Sequence, residues 1–174
     1  MRNRLRRGDV CHRFRRHGAE GTAARGQDDP AHLLDASASK NADVRFELSP
    51  EAPLMEGDLS QIRQVIVNLV SNASEALNDR TGSITVATGV IQATRESLKD
   101  MYLCENLPEG RYAYVEVRDS GCGMDTVTIS KVFDPFFSTK FTGRGLGLAA
   151  VMGIVRGHKG AIRVQSAKGE GSTF

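Results

Sequence analysis

Along this chain the spacing of apolar residues changes several times, and each change predicts an element. From Asp58, a residue suited to cap a helix, Ile62, Val65, Ile66, Leu69, Val70, Ala73 and Leu77 recur every three or four positions until the polar stretch 79–82. A long amphipathic helix is predicted there. VRFEL (44–48), SITVATGVI (83–91) and YAYVEVRD (112–119) alternate in steps of two, as half-buried strands do. The last two predict an antiparallel pair around a long polar connection, 92–110. A loop with Pro50 and Pro53 follows the first strand, and a short helix is possible over 31–40. A short helix over 126–132, a helix over 146–155 and a strand in AIRVQS (161–166) complete the pattern, with a further strand starting in GEGSTF. Helices and strands mix without a β-α-β rhythm, which predicts an α+β fold.

Composition narrows this to one compact unit. At 174 residues with 40% hydrophobic residues, the chain can bury one real core, expected over 31–174. Residues 1–30 hold eight arginines against four acids and few apolar residues, so they read as a disordered or vestigial tail. A nucleic-acid or membrane-binding arm is the less favoured reading of that tail. No apolar run approaches the roughly 20 residues of a membrane span, and no signal-peptide core is visible, so a cytoplasmic location is expected. Cys11, Cys104 and Cys122 form no CxxC pair, which argues against a disulfide framework or a zinc site.

Four clusters of residues carry possible chemistry. On the long helix, Asn68, Asn72 and Glu75 fall on one face, and an amide oxygen suits Mg²⁺, which takes few protein ligands and keeps most of its waters. A solvated polar face would look the same. In DSGCGM (119–124), Asp119 ends a strand before two glycines; a carboxylate there can accept from the exocyclic amine of adenine but would oppose the carbonyl of guanine. KVFDPFFSTK (131–140) places Phe133 and Phe136 as core candidates and Lys140 as a possible phosphate contact. In KFTGRGLGLAAVMGIVRGHKG (140–160), Gly143, Gly145, Leu146 and Gly147 precede or open a helix, whose unpaired N–H groups and positive dipole end suit an anion. The stretch 138–143 could move as a lid. Gly157 and Gly160 instead suit the helix end, with His158 at its C-terminus.

In this order, the asparagine helix, D-x-G-x-G, F-x-P-F and G-x-G-L-G resemble the N, G1, F and G2 boxes of the ATP-binding catalytic domain of sensor histidine kinases. That domain belongs to the superfamily that includes DNA gyrase, mismatch-repair ATPases and a heat-shock chaperone. The likeness spans roughly 44–174, and its lid wording is most similar to hybrid, PAS-linked kinases. It implies a two-layer α/β sandwich, a mixed and mostly antiparallel sheet covered by helices, with ATP under a mobile lid. Asn72 then matches the Mg²⁺ ligand, and Asn68 the catalytic polar position one turn earlier. Asp119 matches the adenine-reading carboxylate, with Gly121 and Gly123 beside the base. Lys140 is placed to meet phosphate, Gly143, Gly145, Leu146 and Gly147 to line the nucleotide, and Ser172 to stand where a threonine is usual.

The resemblance also implies transfer of the γ-phosphoryl group to a histidine on a separate dimerisation domain, with a receiver domain or response regulator downstream. No nucleic acid or membrane contact is expected. Asn68 stands where the superfamily's ATPases have a water-activating glutamate, and an amide takes no proton at neutral pH. Arg144 replaces a usual threonine or serine. None of His12, His17, His32 and His158 lies in the family's acceptor motif, and the final strand is expected to be cut short after Phe174. A stand-alone ATPase, an anti-sigma-like serine kinase and a non-catalytic nucleotide-binding module are the alternatives.

Overall fold

The computed structural model describes residues 42–51, 55–78, 80–102, 107–139 and 145–174. The expected tail, the helix over 31–40, Pro53, Lys140, Gly143 and Arg144 lie outside the described residues.

The order of elements is β1 (Ala42–Leu48), α1 (Leu59–Ala76), β2 (Gly82–Ala93), α2 (Arg95–Lys99), β3 (Gly110–Asp119), α3 (Thr126–Lys131), α4 (Gly147–Gly157), β4 (Gln165–Ala167) and β5 (Gly171–Thr173). Five strands form one sheet in the order β1-β2-β3-β5-β4. β1 runs parallel to β2, and every other pair is antiparallel. The fold is therefore the mixed, mostly antiparallel α+β sandwich that the sequence predicts. Its one parallel pair needs a crossover, and α1 supplies it.

α1 begins where expected because the Asp58 side chain accepts from the N–H groups of Ser60 and Gln61, two donors that the first helical turn leaves unpaired. The same bonds, with the Ser60 hydroxyl foremost, hold the Asp58 carboxyl below its ordinary pKa. One face of α1 buries Val65, Leu69, Val70 and Ala73, and Leu77 at its C-cap is 1% exposed. They meet Ile84 and Val86 of β2, Val117 of β3 and Val151 of α4. Burying an aliphatic side chain of this size contributes about 1.5–3 kcal/mol, so this seam holds the helices to the sheet. Alternation puts Thr85, Arg118 and Thr173 on the opposite face, where Glu116 hydrogen-bonds Arg118 and raises its pKa.

Three sequence expectations are revised. The connection 92–110 holds α2, started by a reciprocal capping pair in which Thr94 and Ser97 bond each other's backbone N–H. The strand expected over 161–166 shrinks to Gln165–Ala167, because Ile162 makes an isolated bridge to Tyr102. Phe133 is core, edge-to-face with Tyr102 at 4.9 Å, but Phe136 is 77% exposed. Its φ of 68° belongs to a turn in which its N–H bonds Gly145 O at 2.9 Å, and the ring is left outside the core.

Candidate functional site

α1 carries the polar face of the site. Asn68, Asn72 and Ala76 recur every fourth residue and so lie in one row along the helix. At one end, the Asn68 amide donates to Gly147 O at 3.3 Å, which ties the row to the start of α4. Asn68 Oδ1 accepts from Gln64 Nε2 at 3.0 Å. At the other end, Ala76 O accepts from Cys122 N–H at 2.9 Å, which ties the row to the loop after β3. Asn72 stands between these two contacts. Glu75, on the same side in the sequence pattern, is exposed, and the Ser71 hydroxyl reaches it at 3.5 Å.

Asn72 Nδ2 is a buried side-chain atom without a hydrogen-bond partner. Leaving such a group unpaired costs about 1–3 kcal/mol, so its retention suggests an absent partner. Gly147 faces the same space, since a Cβ added there would lie 3.9 Å from Asn72 Nδ2. The start of α4 has Leu146 as N-cap and no side-chain cap hydrogen bond. An uncapped helix start, an unpaired amide and a missing side chain thus border one space. Together they suit an anion with a hard cation beside it. Among the described residues, no group of three or more His, Cys, Asp or Glu could hold a metal by itself. A cation would need the Asn72 amide oxygen, which half a turn of the side chain exchanges with Nδ2, together with ligand and water oxygens.

The far end of the site is built by β3. Asp119 is buried at 6% exposure, and its Oδ1 accepts from Gly121 N–H at 2.8 Å. Ser172, also buried, pairs with Asp119 across the β3–β5 ladder. A cavity of about 490 Å³ touches both residues but opens among Thr85, Arg118 and Thr173, on the sheet face opposite α1, and so is not the space beside Asn72. The glycines of the loop have packing reasons that the motif alone does not reveal. A Cβ at Gly121 would meet Ala76 backbone atoms at 2.7 Å. Gly123 has a φ of 61°, and a Cβ there would come within 1.9 Å of Ala167 O. Gly145, likewise at positive φ, packs against the Phe136 backbone, so the F-x-P-F turn and the start of the α4 segment are joined.

The structure thus brings Asn68, Asn72, Leu146 and Gly147 to one end of the α1 row, and Asp119, Gly121, Gly123 and Ser172 to the other. Lys140 and Gly143 lie outside the described residues. Sequence reasoning missed Ser166, whose hydroxyl accepts from Met124 N–H at 2.8 Å and lies 2.8 Å from Gly171 O and 3.0 Å from Ser172 Oγ. It fastens the loop after β3 to the last two strands. Nothing local in QSAKGEGS marks it. It also missed Gln64, which helical spacing from Asn68 could have revealed.

Comparison with known proteins identifies the family of the chain. Residues 57–174 match the family model described as histidine kinase-, DNA gyrase B- and HSP90-like ATPase. Over 144 residues the chain is 37% identical to the sensor kinase CckA of Brucella abortus, covering 82% of this chain and 15% of the relative. It is 34% identical to the signal transduction histidine-protein kinase AtoS of Escherichia coli, with 82% and 21% covered. The chain therefore spans about a fifth or less of the length of these curated relatives. The nucleotide-free catalytic domain of histidine kinase ThkA superposes with a TM-score of 0.58 at 28% identity, covering 83% of this chain and 80% of that one. A ThkA structure in complex with the response regulator TrrA matches at a TM-score of 0.54 and 26% identity, covering 83% and 35%. Among the described residues, no helix is long and apolar enough to cross a membrane. The chain belongs to the histidine kinase-, gyrase- and HSP90-like ATPase family, on the branch of the two-component sensor histidine kinases.

Proposed function

We propose that this chain binds Mg²⁺-ATP and transfers the γ-phosphoryl group to a histidine on a separate dimerisation and phosphoacceptor domain. The observation that carries the reading is the unpaired Asn72 amide facing the uncapped start of α4. Asp119 accepts from the adenine amine, with Ser172 beside it and the Gly121–Gly123 loop against the ring. The triphosphate runs along the α1 row to α4, where N–H groups near Leu146 and Gly147 receive it. By the family likeness Lys140 and Gly143 are further phosphate contacts, and Gly145 stands in the turn before α4. Asn72 is the protein ligand for Mg²⁺, which supplies neutralisation of phosphate charge when bound.

Transfer then rests on positioning and charge. The lone pair of the acceptor imidazole forms the P–N bond as the bond from the γ-phosphorus to the bridging oxygen breaks. ADP leaves with that electron pair, and the imidazole proton passes to water. Asn68 does not act as a base: its amide is engaged by Gln64 and Gly147 and has no basicity at neutral pH. Water is therefore activated poorly, and hydrolysis by the chain alone is slow. In this reading 31–174 form the cytoplasmic catalytic domain, 1–30 lead into it, and a receiver domain or response regulator takes the phosphoryl group onward.

The test is incubation of the chain with γ-labelled ATP and a separate phosphoacceptor domain. Acid-labile, alkali-stable label on histidine is expected. ATP binding without label would leave a nucleotide-binding module, and rapid phosphate release by the chain alone would make it an ATPase.

A further inference from the structure

α1 and α4 are antiparallel, and polar contacts join them at both ends. At the phosphate end, the contact is Asn68 to Gly147 O. At the other, Asp58 N–H donates to His158 Nε2 at 3.0 Å, across 100 residues of chain. The tautomer follows from the chemistry of the partners. His158 Nδ1 lies 2.8 Å from Ile154 O, which can only accept, so Nδ1 carries the proton and Nε2 keeps the lone pair that Asp58 N–H needs. The neighbouring backbone is shaped to admit the ring, since a Cβ at Gly57 would fall 2.9 Å from His158 Cδ2. A residue serving only to end α4 would need neither contact with the start of α1.

We infer that His158 is a positioning residue: its ring fixes the far end of α4 to the N-cap of α1 and so aims the first turn of α4 at the space beside Asn72. The inference rests on the nucleotide-binding reading above. Apolar contacts of Val151, Leu148 and Val155 also hold α4 to the core, but burial of that kind is not directional. With Asp58 released, the Asn68–Gly147 bond is left as a pivot about which α4, 11 residues or roughly 16 Å long, can tilt. Tilt redirects the N–H groups at its start while leaving Asp119, on β3, where it is.

The experiment compares wild type, His158→Ala and His158→Gln by calorimetric titration with a non-hydrolysable ATP analogue plus Mg²⁺, and separately with adenosine. Loss of one hydrogen bond's worth of alignment predicts that His158→Ala weakens the analogue about three- to tenfold, with adenosine affinity unchanged. Glutamine can place Oε1 where Nε2 accepts from Asp58 N–H, so His158→Gln restores analogue binding. Equal loss for both ligands, no loss for either, or failure of glutamine to restore binding would overturn the inference. Should His158→Ala not fold, Gly57→Ala displaces the ring and carries the same comparison. Wild type that binds neither ligand overturns the nucleotide reading itself, a result distinct from these.

Discussion

Replacing Asp119 with Asn changes one atom and removes one charge, which makes it the sharpest probe of the base site. In the structure, Oδ1 accepts from Gly121 N–H at 2.8 Å, and an asparagine oxygen can keep that bond. That bond should therefore lose only the difference between a charged and a neutral acceptor, about 1 kcal/mol. Nucleotide binding should suffer more, because the carboxylate's bond to the adenine amine is charge-assisted and an Asn amide nitrogen opposes that amine as a second donor. A hydrogen bond to a charged group contributes about 1.5–3 kcal/mol, which corresponds to roughly a 10- to 150-fold weaker Kd for ATP. Calorimetry with ATP and GTP on both proteins, alongside urea denaturation, separates the two effects. The expected result is a large loss for ATP, a smaller or no loss for GTP and a modest shift in midpoint. Unchanged ATP affinity would refute the assignment of Asp119, and a loss that tracked unfolding would reduce it to a structural residue.

Three further outcomes are expected. Asn72→Ala should abolish the dependence of ATP binding on Mg²⁺, read by calorimetry with and without EDTA, while the apo protein melts no lower, because the change deletes an unpaired buried amide. Leu77→Ala, at a side chain 1% exposed among α1 and the sheet, should cost about 2–5 kcal/mol in chemical denaturation. Asp58 and Asp125 cap α1 and α3, and hydrogen bonds from Ser60 and Gln61 and from Thr128 lower their pKa. A lowered folded pKa gives stability that is present above the unfolded value and lost as pH falls through the folded one, so helical signal followed by circular dichroism should decline in acid below about pH 4. The double variant Asp58→Asn, Asp125→Asn should flatten that part of the profile.

Elements were legible where local chemistry and tertiary packing agree. The Asp58 cap and the apolar stripe of α1 give its limits to within a residue because the capping bonds and the buried face are both local in sequence. β2 and β3 were legible by alternation, though each extends beyond the predicted span where the ladder continues through Ala93 and Gly110. The parallel pairing of β1 with β2 was not, since partner and direction are set by a contact forty residues away. Phe136 misled for the same reason: three apolar rings in five residues suggest core, and only the bond of its backbone to Gly145 reveals that one ring turns outward. Asn72 and Asp119 stood out in the sequence by motif. Ser166 and the reach of His158 to Asp58 did not, because neither has a local pattern.

Several of the places where this chain breaks local rules gather at one site. Asparagines line the face of α1 beside its apolar stripe, a glycine opens α4 and its N-cap lacks a side-chain bond, although the same chain caps α1, α2 and α3 by side chain. The contrast matters because each departure alone would only weaken a helix. Capping α4 with serine or aspartate would satisfy its first turn from within and fill the space toward Asn72 with oxygen. An anion would then meet a competitor for the same N–H groups, and with aspartate a like charge. The unsatisfied start of α4 and the unpaired amide of Asn72 are thus one arrangement seen from two helices: donors and an amide held ready, at some cost to the empty protein, for charge that arrives with the ligand.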